Sequence, residues 1–270
     1  MNKLLWKPSE EKIKGSLLEK FVNSLNIEKD RNFNNLWRWS NKEPEKFWSK
    51  LWDFSEIVGH KGEKILKKDK TFNKNTFFPD SKINYAENLI KKKNNELAIN
   101  FLSENGFEES ITWQQLYDKV CKLSYFFKKI GIKKNDRVAA YVPNKIETVI
   151  SFLASSKNGS IWSSCSPDFG VEGVIDRFLQ IEPRILITCD YYYYNGKKIN
   201  ILQKVDEILK KIPSIEKVLV FSYDKKEKIN KKNYYNFDEI LKESKLDEIF
   251  EKYEFNHPIY ILYSSGTTGK

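Results

Sequence analysis

The 270-residue chain is short of the residues that build metal centres and nucleophilic dyads. Its three cysteines, Cys121, Cys165 and Cys189, are far apart and odd in number, which excludes a disulfide framework and a zinc spacing. Its two histidines, His60 and His257, have no Cys or His neighbours at metal spacing. A His- or Cys-built metal site is therefore excluded, as is Ser-His or Cys-His catalysis, and no metal ligand is expected in this chain. Arginine is scarce as well: only Arg31, Arg38, Arg137, Arg177 and Arg184 stand among 47 basic residues. Base edges and bidentate phosphate contacts favour arginine. The net charge of +10 comes from lysines spread along the chain and mixed with Asn and Ile, so it does not read as a nucleic-acid stripe. The same field favours a small anionic ligand. No run approaches the roughly 20 apolar residues of a membrane span. The apolar stretch near Met1–Pro8 is too short for a signal peptide. The chain reads as soluble and cytoplasmic, with no nucleic-acid partner and no membrane span.

Aromatic residues, by contrast, are plentiful: 18 Phe, 14 Tyr and 7 Trp within a 40% apolar composition are ample for a packed core. The length suits one large domain or two ordinary ones. Residues 9–28 place Ile13, Leu17, Phe21 and Leu25 at four-residue spacing, which predicts an amphipathic helix. Phe33, Trp37, Trp39, Phe47, Trp48, Trp52 and Phe54 crowd the next stretch. Pro44 sits where a first-turn proline belongs, and Phe47, Leu51, Phe54 and Val58 make one helical face. These aromatics predict a helical N-terminal segment buried against a larger body. Phe77-Phe78-Pro79-Asp80 leads as a turn into a short helix at Ile83–Leu89, and Lys91–Glu96 reads as a charged linker.

From residue 97 the pattern alternates. Leu97–Phe101 and Glu109–Ile111 flank Glu104-Asn-Gly106, a hairpin signal. Thr112-Trp-Gln-Gln115 matches a capping box and opens a helix ending near Gly131. Strands are predicted at 137–142, 160–163, 184–188 and 218–221. Helices are predicted at 147–156, 171–181 and 201–212, with one or two more between Asp238 and Tyr253. Asp224–Lys232 reads as a charged loop. Strands alternating with helices of this length predict an α/β fold with a mostly parallel sheet flanked by helices. Ligands of such sheets sit beyond the carboxyl ends of the strands.

The last stretch lies at such an end. Ile259-Tyr-Ile-Leu-Tyr263 is apolar, β-branched and aromatic, and breaks into Ser264-Ser-Gly-Thr-Thr-Gly-Lys270. Gly266 and Gly269 allow a tight turn with outward amides, and four hydroxyls and one ammonium converge there. Outward amides, hydroxyls and a lysine suit a polyphosphate. The loop is not a Walker A motif, because only Thr267 and Thr268 separate its glycines.

Tyr-Ser-Ser-Gly-Thr-Thr-Gly-Lys resembles the phosphate loop of the adenylate-forming (acyl-CoA synthetase) superfamily. Within it, Trp162-Ser-Ser-Cys-Ser-Pro-Asp-Phe-Gly170 resembles the acetoacetyl-CoA synthetases, and Phe77–Leu89 looks like the junction between helical cap and adenylation domain in the acetyl- and acetoacetyl-CoA synthetases. The resemblance implies a helical, Trp-rich cap over residues 1–90 and an incomplete AMP-binding (adenylation) domain over 97–270, ending inside the phosphate loop. It implies ATP phosphate contacts from Ser264, Ser265, Gly266, Thr267, Thr268, Gly269 and Lys270. Asp190–Lys198 corresponds to a CoA-contacting patch, giving Tyr194, Gly196, Lys197 and Lys198 as CoA candidates, although Tyr194 stands where relatives carry Arg. Ser164, Cys165 and Ser166 become candidates for a channel wall, where small residues admit a narrow ligand.

The reaction implied joins acetoacetate to CoA through an acyl-adenylate, with ATP and Mg as co-reactants. The adenine and carboxylate pockets, the acidic Mg ligand and the catalytic residues, including a lysine for adenylation, are expected beyond residue 270. The isolated chain is therefore expected not to complete the ligation. Two alternatives stay open: a non-catalytic α/β nucleotide- or CoA-binding module, and a ligase for another short acid such as acetate or propionate.

Overall fold

A computed structural model describes residues 5–25, 33–224 and 228–264. Two compact units divide the chain, one formed by Met1–Lys82 with Glu254–Asn256, the other by Ile83–Tyr253 with His257–Lys270.

The first unit carries helices α1 (Glu10–Lys14), α2 (Leu17–Ser24), α3 (Phe33–Lys42) and α4 (Pro44–Phe54), and the short strands β1 (Gly59–His60), β2 (Leu66–Lys67) and β3 (Thr76–Phe77). The single helix predicted over 9–28 is two. Ser16 is extended and its hydroxyl accepts from the Glu19 amide, so it starts α2 as a cap instead of continuing α1. Pro44 opens α4 as expected. The helix ends at Phe54, so Val58 is not on its face. Edge-to-face rings build the interior, with Phe21 5.1 Å from Phe54 and 6.0 Å from Phe47. Trp52, Phe78 and Phe255 continue the cluster.

Strand β4 (Lys82–Ile83) crosses the division between units. In the second unit, α5 (Tyr85–Leu89) precedes an antiparallel hairpin, β5 (Leu97–Leu102) with β6 (Glu108–Thr112). Thr112 and Gln115 form the predicted capping box at the start of α6 (Trp113–Lys129). The chain then runs β7 (Arg137–Tyr141), α7 (Ile146–Lys157), β8 (Ile161–Cys165), α8 (Val171–Ile181), β9 (Ile185–Cys189), the hairpin β10 (Tyr191–Tyr194) and β11 (Lys197–Asn200), α9 (Leu202–Lys211), β12 (Lys217–Phe221), β13 (Tyr234–Asn236), α10 (Phe237–Glu243) and β14 (Tyr253–Glu254).

β8, β7, β9, β12 and β13 lie side by side in that order, all parallel. The central strands β7, β9 and β12 are largely apolar, as strands covered by helices on both faces are. After β7 the chain steps to β8 on one side, then crosses back to β9 on the other. Right-handed crossovers put α7 and α8 on opposite faces. α7 packs with α6, which also meets α10, and α8 packs with α9. The switch point falls between β7 and β9.

Two predicted stretches take a more definite form here. Asp238–Tyr253 holds one helix, α10, and residues 245–252 are irregular. Their backbone is satisfied by side chains instead: the buried Lys157 ammonium donates to Ile249 O at 2.8 Å, and Asn84 donates to Glu251 O at 2.8 Å. The segment Asp190–Lys198, expected as a patch after a strand, follows β9 and makes up most of the β10–β11 hairpin. Asn195 and Gly196, with φ of 50° and 72°, make its two-residue turn.

Gly159, at φ 69°, ends α7 against the ring of Tyr253. Its carbonyl accepts from Asn135 N and lies 2.8 Å from His257 Nε2.

Candidate active site

The segment Ile259–Tyr263 runs along the outer edge of β8. Trp162 N donates to Ile259 O at 3.0 Å, Ile261 N donates to Trp162 O at 2.8 Å, and Trp162 and Tyr260 form a parallel bridge. The Ser163 hydroxyl adds a bond to Ile261 O at 3.0 Å. This segment thus runs parallel to β8 through one bridge and leads to Ser264, which is exposed, at the carboxyl end of the sheet. Ser265, Gly266, Thr267, Thr268, Gly269 and Lys270 lie outside the described residues.

Beside Ser264 stands the turn that follows β8. Ser164 and Ser166 are exposed, while Cys165 between them faces the core. Burial pushes the Cys165 thiol up to about 11, against a smaller opposing pull from Arg177, so this thiol is neutral at physiological pH. Of the three channel-wall candidates, the structure therefore presents two hydroxyls outward and withdraws the sulfur.

The turn itself is held firmly. The Tyr141 hydroxyl, fully buried, lies 2.8 Å from Pro167 O and 2.7 Å from Phe169 O. The Tyr192 hydroxyl donates to Asp168 Oδ1 at 2.9 Å, and Ser166 donates to Asp168 Oδ2 at 2.9 Å. Burial, with Asp168 accepting the Tyr192 proton, pushes Tyr192 up to about 12. Both phenols are donors at any physiological pH. Beyond the turn, Arg177 of α8 lies against the rings of Phe169 and Tyr263. Sequence reasoning singled out none of Tyr141, Tyr192 or Arg177. Their one visible signal was an arginine in an arginine-poor chain.

The CoA candidates sit on the β10–β11 hairpin. Tyr194 faces Lys197 across the ladder and Tyr193 faces Lys198. Neighbouring residues alternate faces, so Lys197 and Lys198 are on opposite sides. The Lys198 ammonium lies 3.6 Å from the centre of the Tyr191 ring, a cation–π contact. The turn amides of Asn195 and Gly196 donate to the Glu104 carboxylate at 3.1 and 2.9 Å. Tyr194, Gly196 and Lys197 are exposed. The two clusters of candidates are joined through one residue, because Tyr192 of this hairpin holds the turn after β8.

A family model described as AMP-binding enzyme matches residues 87–270. The chain belongs to that family. Within the AMP-binding enzymes it is similar to the acetoacetyl-CoA synthetase of Xenopus tropicalis, 39% identical with 99% of this chain and 42% of the relative covered. It is similar also to the acetoacetyl-coenzyme A synthetase of Rhizobium meliloti, 36% identical over 98% of this chain and 42% of the relative. Among solved structures, acetoacetyl-CoA synthetase from Streptomyces lividans superposes with a TM-score of 0.90 at 28% identity, covering 99% of this chain and 42% of that one. The chain thus spans about two fifths of the length of these relatives, and both its α/β fold and its resemblance to the adenylate-forming enzymes are shown. Among the described residues no group of three or more His, Cys, Asp or Glu stands where it could hold a metal ion, and no helix is long and apolar enough to cross a membrane.

Proposed function

We propose that this chain supplies the phosphate-loop part of an ATP-dependent acid–CoA ligase whose acid is acetoacetate, working in the cytoplasm. The reading rests on one observation above others: a segment bridged in parallel to β8 leads to Ser264, first residue of Ser-Ser-Gly-Thr-Thr-Gly-Lys, at the carboxyl end of a parallel sheet. The overall reaction has two displacements. An acetoacetate carboxylate oxygen attacks the α-phosphorus of ATP, forming the acyl-adenylate and releasing pyrophosphate. The CoA thiolate then attacks the acyl carbon and AMP leaves.

Both displacements move charge onto phosphate oxygens, so fixed donors and cations do the work. In this reading Ser264, Ser265, Thr267 and Thr268 donate hydroxyls to the β and γ phosphates, Gly266 and Gly269 keep the backbone close, and Lys270 neutralises charge. Ser164 and Ser166 line the approach of the acid or the pantetheine arm. Tyr194, Gly196, Lys197 and Lys198 meet the nucleotide end of CoA, with Lys197 and Lys198 on different faces of the hairpin. Residues 1–90 act as the helical cap and 97–270 as the adenylation domain's share. The described residues hold no acidic cluster that fits Mg, and nothing assigned to this chain runs through that ion.

Calorimetric titration of the 270-residue chain tests the reading. ATP and pyrophosphate are expected to bind, and Lys270→Ala to weaken both. Absence of any heat with ATP, pyrophosphate or CoA from a chain shown to be folded would overturn it.

A further inference from the structure

Arg177 belongs to no assigned site, yet three elements meet on it. Its guanidinium carbon lies 4.4 Å from the centre of the Phe169 ring and 5.7 Å from that of Tyr263. Its Nη1 donates to Gly173 O at 2.7 Å, one turn back along α8. Its own carbonyl accepts from the Tyr263 hydroxyl at 2.5 Å. Backbone and side chain of one residue therefore both grip Tyr263, the residue immediately before Ser264. On the other side the grip reaches Phe169, which is 38% exposed and whose carbonyl is held by the buried Tyr141 hydroxyl.

We propose that Arg177 is a positioning residue for the phosphate loop, a role that rests on the function proposed above. The segment Ile259–Tyr263 meets β8 through a single parallel bridge at Trp162 and the Ser163 hydroxyl, and among the described residues no strand pairs with its other side. Its carboxyl end needs a second attachment if the residues that follow are to meet a triphosphate in one register. Arg177 supplies it from α8. The Ser-Pro-Asp-Phe turn is the abutment: Tyr141, Tyr192 and Ser166 fix it, and the rings of Phe169 and Tyr263 both lie against the guanidinium. A guanidinium suits this place better than an ammonium, because it stacks flat on rings while its edge keeps a hydrogen bond.

The experiment compares the 270-residue chain with Arg177→Gln, Arg177→Lys and Arg184→Gln. Arg184 is the control for stability alone. It bonds Gly131 O, Asp136 and Glu216 at the opposite end of the sheet. Pyrophosphate affinity is read by calorimetry and the exchange of the amides of Ile261–Ser264 by hydrogen–deuterium exchange. Arg177→Gln is expected to weaken pyrophosphate about tenfold and to speed exchange at Ile261–Ser264 by a similar factor. Arg177→Lys should restore part of both, and Arg184→Gln should lower the melting temperature while changing neither. Equal pyrophosphate affinity in Arg177→Gln and wild type overturns the inference, as does equal loss in Arg184→Gln. If the wild type itself binds no pyrophosphate, the proposed function fails, and unchanged exchange at Ile261–Ser264 in Arg177→Gln then overturns the inference separately.

Discussion

Replacing Gly159 by alanine should cost the second unit more stability than any single exposed substitution. Two separable effects act there. The backbone at φ 69° is a left-handed conformation, which a residue with a Cβ adopts at a cost of about 1–2 kcal/mol. The added Cβ would also stand 2.5, 2.7 and 3.0 Å from Cζ, Cε1 and Cε2 of Tyr253. That ring is buried, so it must shift or push its neighbours, an overpacking cost of about 1–3 kcal/mol. Together they give about 2–5 kcal/mol, or a fall in melting temperature of roughly 5–15 °C. Urea denaturation of wild type, Gly159→Ala, Tyr253→Ala and the double variant separates the terms. With the ring gone, Gly159→Ala should cost only the conformational part, leaving a coupling energy of about 1–3 kcal/mol. A Gly159→Ala cost below about 1 kcal/mol, or the same cost in both backgrounds, refutes the reasoning.

Other substitutions follow from the same geometry. Tyr141→Phe removes a buried hydroxyl, strands the Phe169 carbonyl and leaves Pro167 O only the longer contact with the Tyr192 hydroxyl, at about 1–3 kcal/mol by denaturation; a loss below about 0.5 kcal/mol would show the turn is held otherwise. Lys145→Met removes a buried ammonium that donates to Tyr223 O at 2.6 Å and stands 3.4 Å from Glu147 and 3.6 Å from Glu109. Two acids then lose their cation, and a cost of about 3–5 kcal/mol is expected; near-neutral behaviour refutes this. At pH 8 the thiols should resist iodoacetamide, Cys165 among them: a thiol near 11 is about 100-fold less ionised than an ordinary one, and burial slows it further. Fast labelling of Cys165 in the folded chain would contradict this. Burial raises the Asp190 carboxyl above its ordinary value, outweighing donors from Ser222, Tyr223 and Tyr191. The unfolded chain therefore ionises first as pH rises, so this group's contribution to stability falls once pH passes about 4. The stability of wild type relative to Asp190→Asn should decline from pH 3.5 towards 7, and a rise would reverse the sign assigned to burial.

The sheet was legible in the sequence because its strands are short apolar runs between helices with clear three- and four-residue spacing. Val218–Phe221 and Val171–Ile181 emerge within a residue or so of their predicted limits. The capping box at Thr112 was legible for a local reason: both its partners lie within four residues. The β10–β11 hairpin was not, since four consecutive tyrosines show no alternation although the structure alternates them. The choice between one helix and two over 238–253 was not legible, because Leu246, Ile249 and Phe250 mimic a helical stripe, whereas bonds to Lys128, Lys157 and Asn84 set the course of 245–252 from far along the chain. The same distinction governs the site. Ser264 and its neighbours announce themselves as a contiguous motif. Tyr141, Tyr192 and Arg177 converge on the turn from separate elements, and only folding puts them together.

The long reach of those bonds bears on how the chain is made. Asn84 is fully buried and donates to Lys157 O at 3.0 Å and to Glu251 O at 2.8 Å. Lys157, also buried, needs Ile249 O. During synthesis these side chains leave the ribosome well before residues 249–251 exist. Until then the Asn84 amide lacks its acceptor at Glu251, and the Lys157 ammonium its acceptor at Ile249. Closure of these bonds thus waits for a stretch made well after their donors, and such late, distant pairing slows folding and prolongs exposure of apolar surface. Chaperone dependence should therefore be greatest for nascent chains halted between about residue 225 and residue 245.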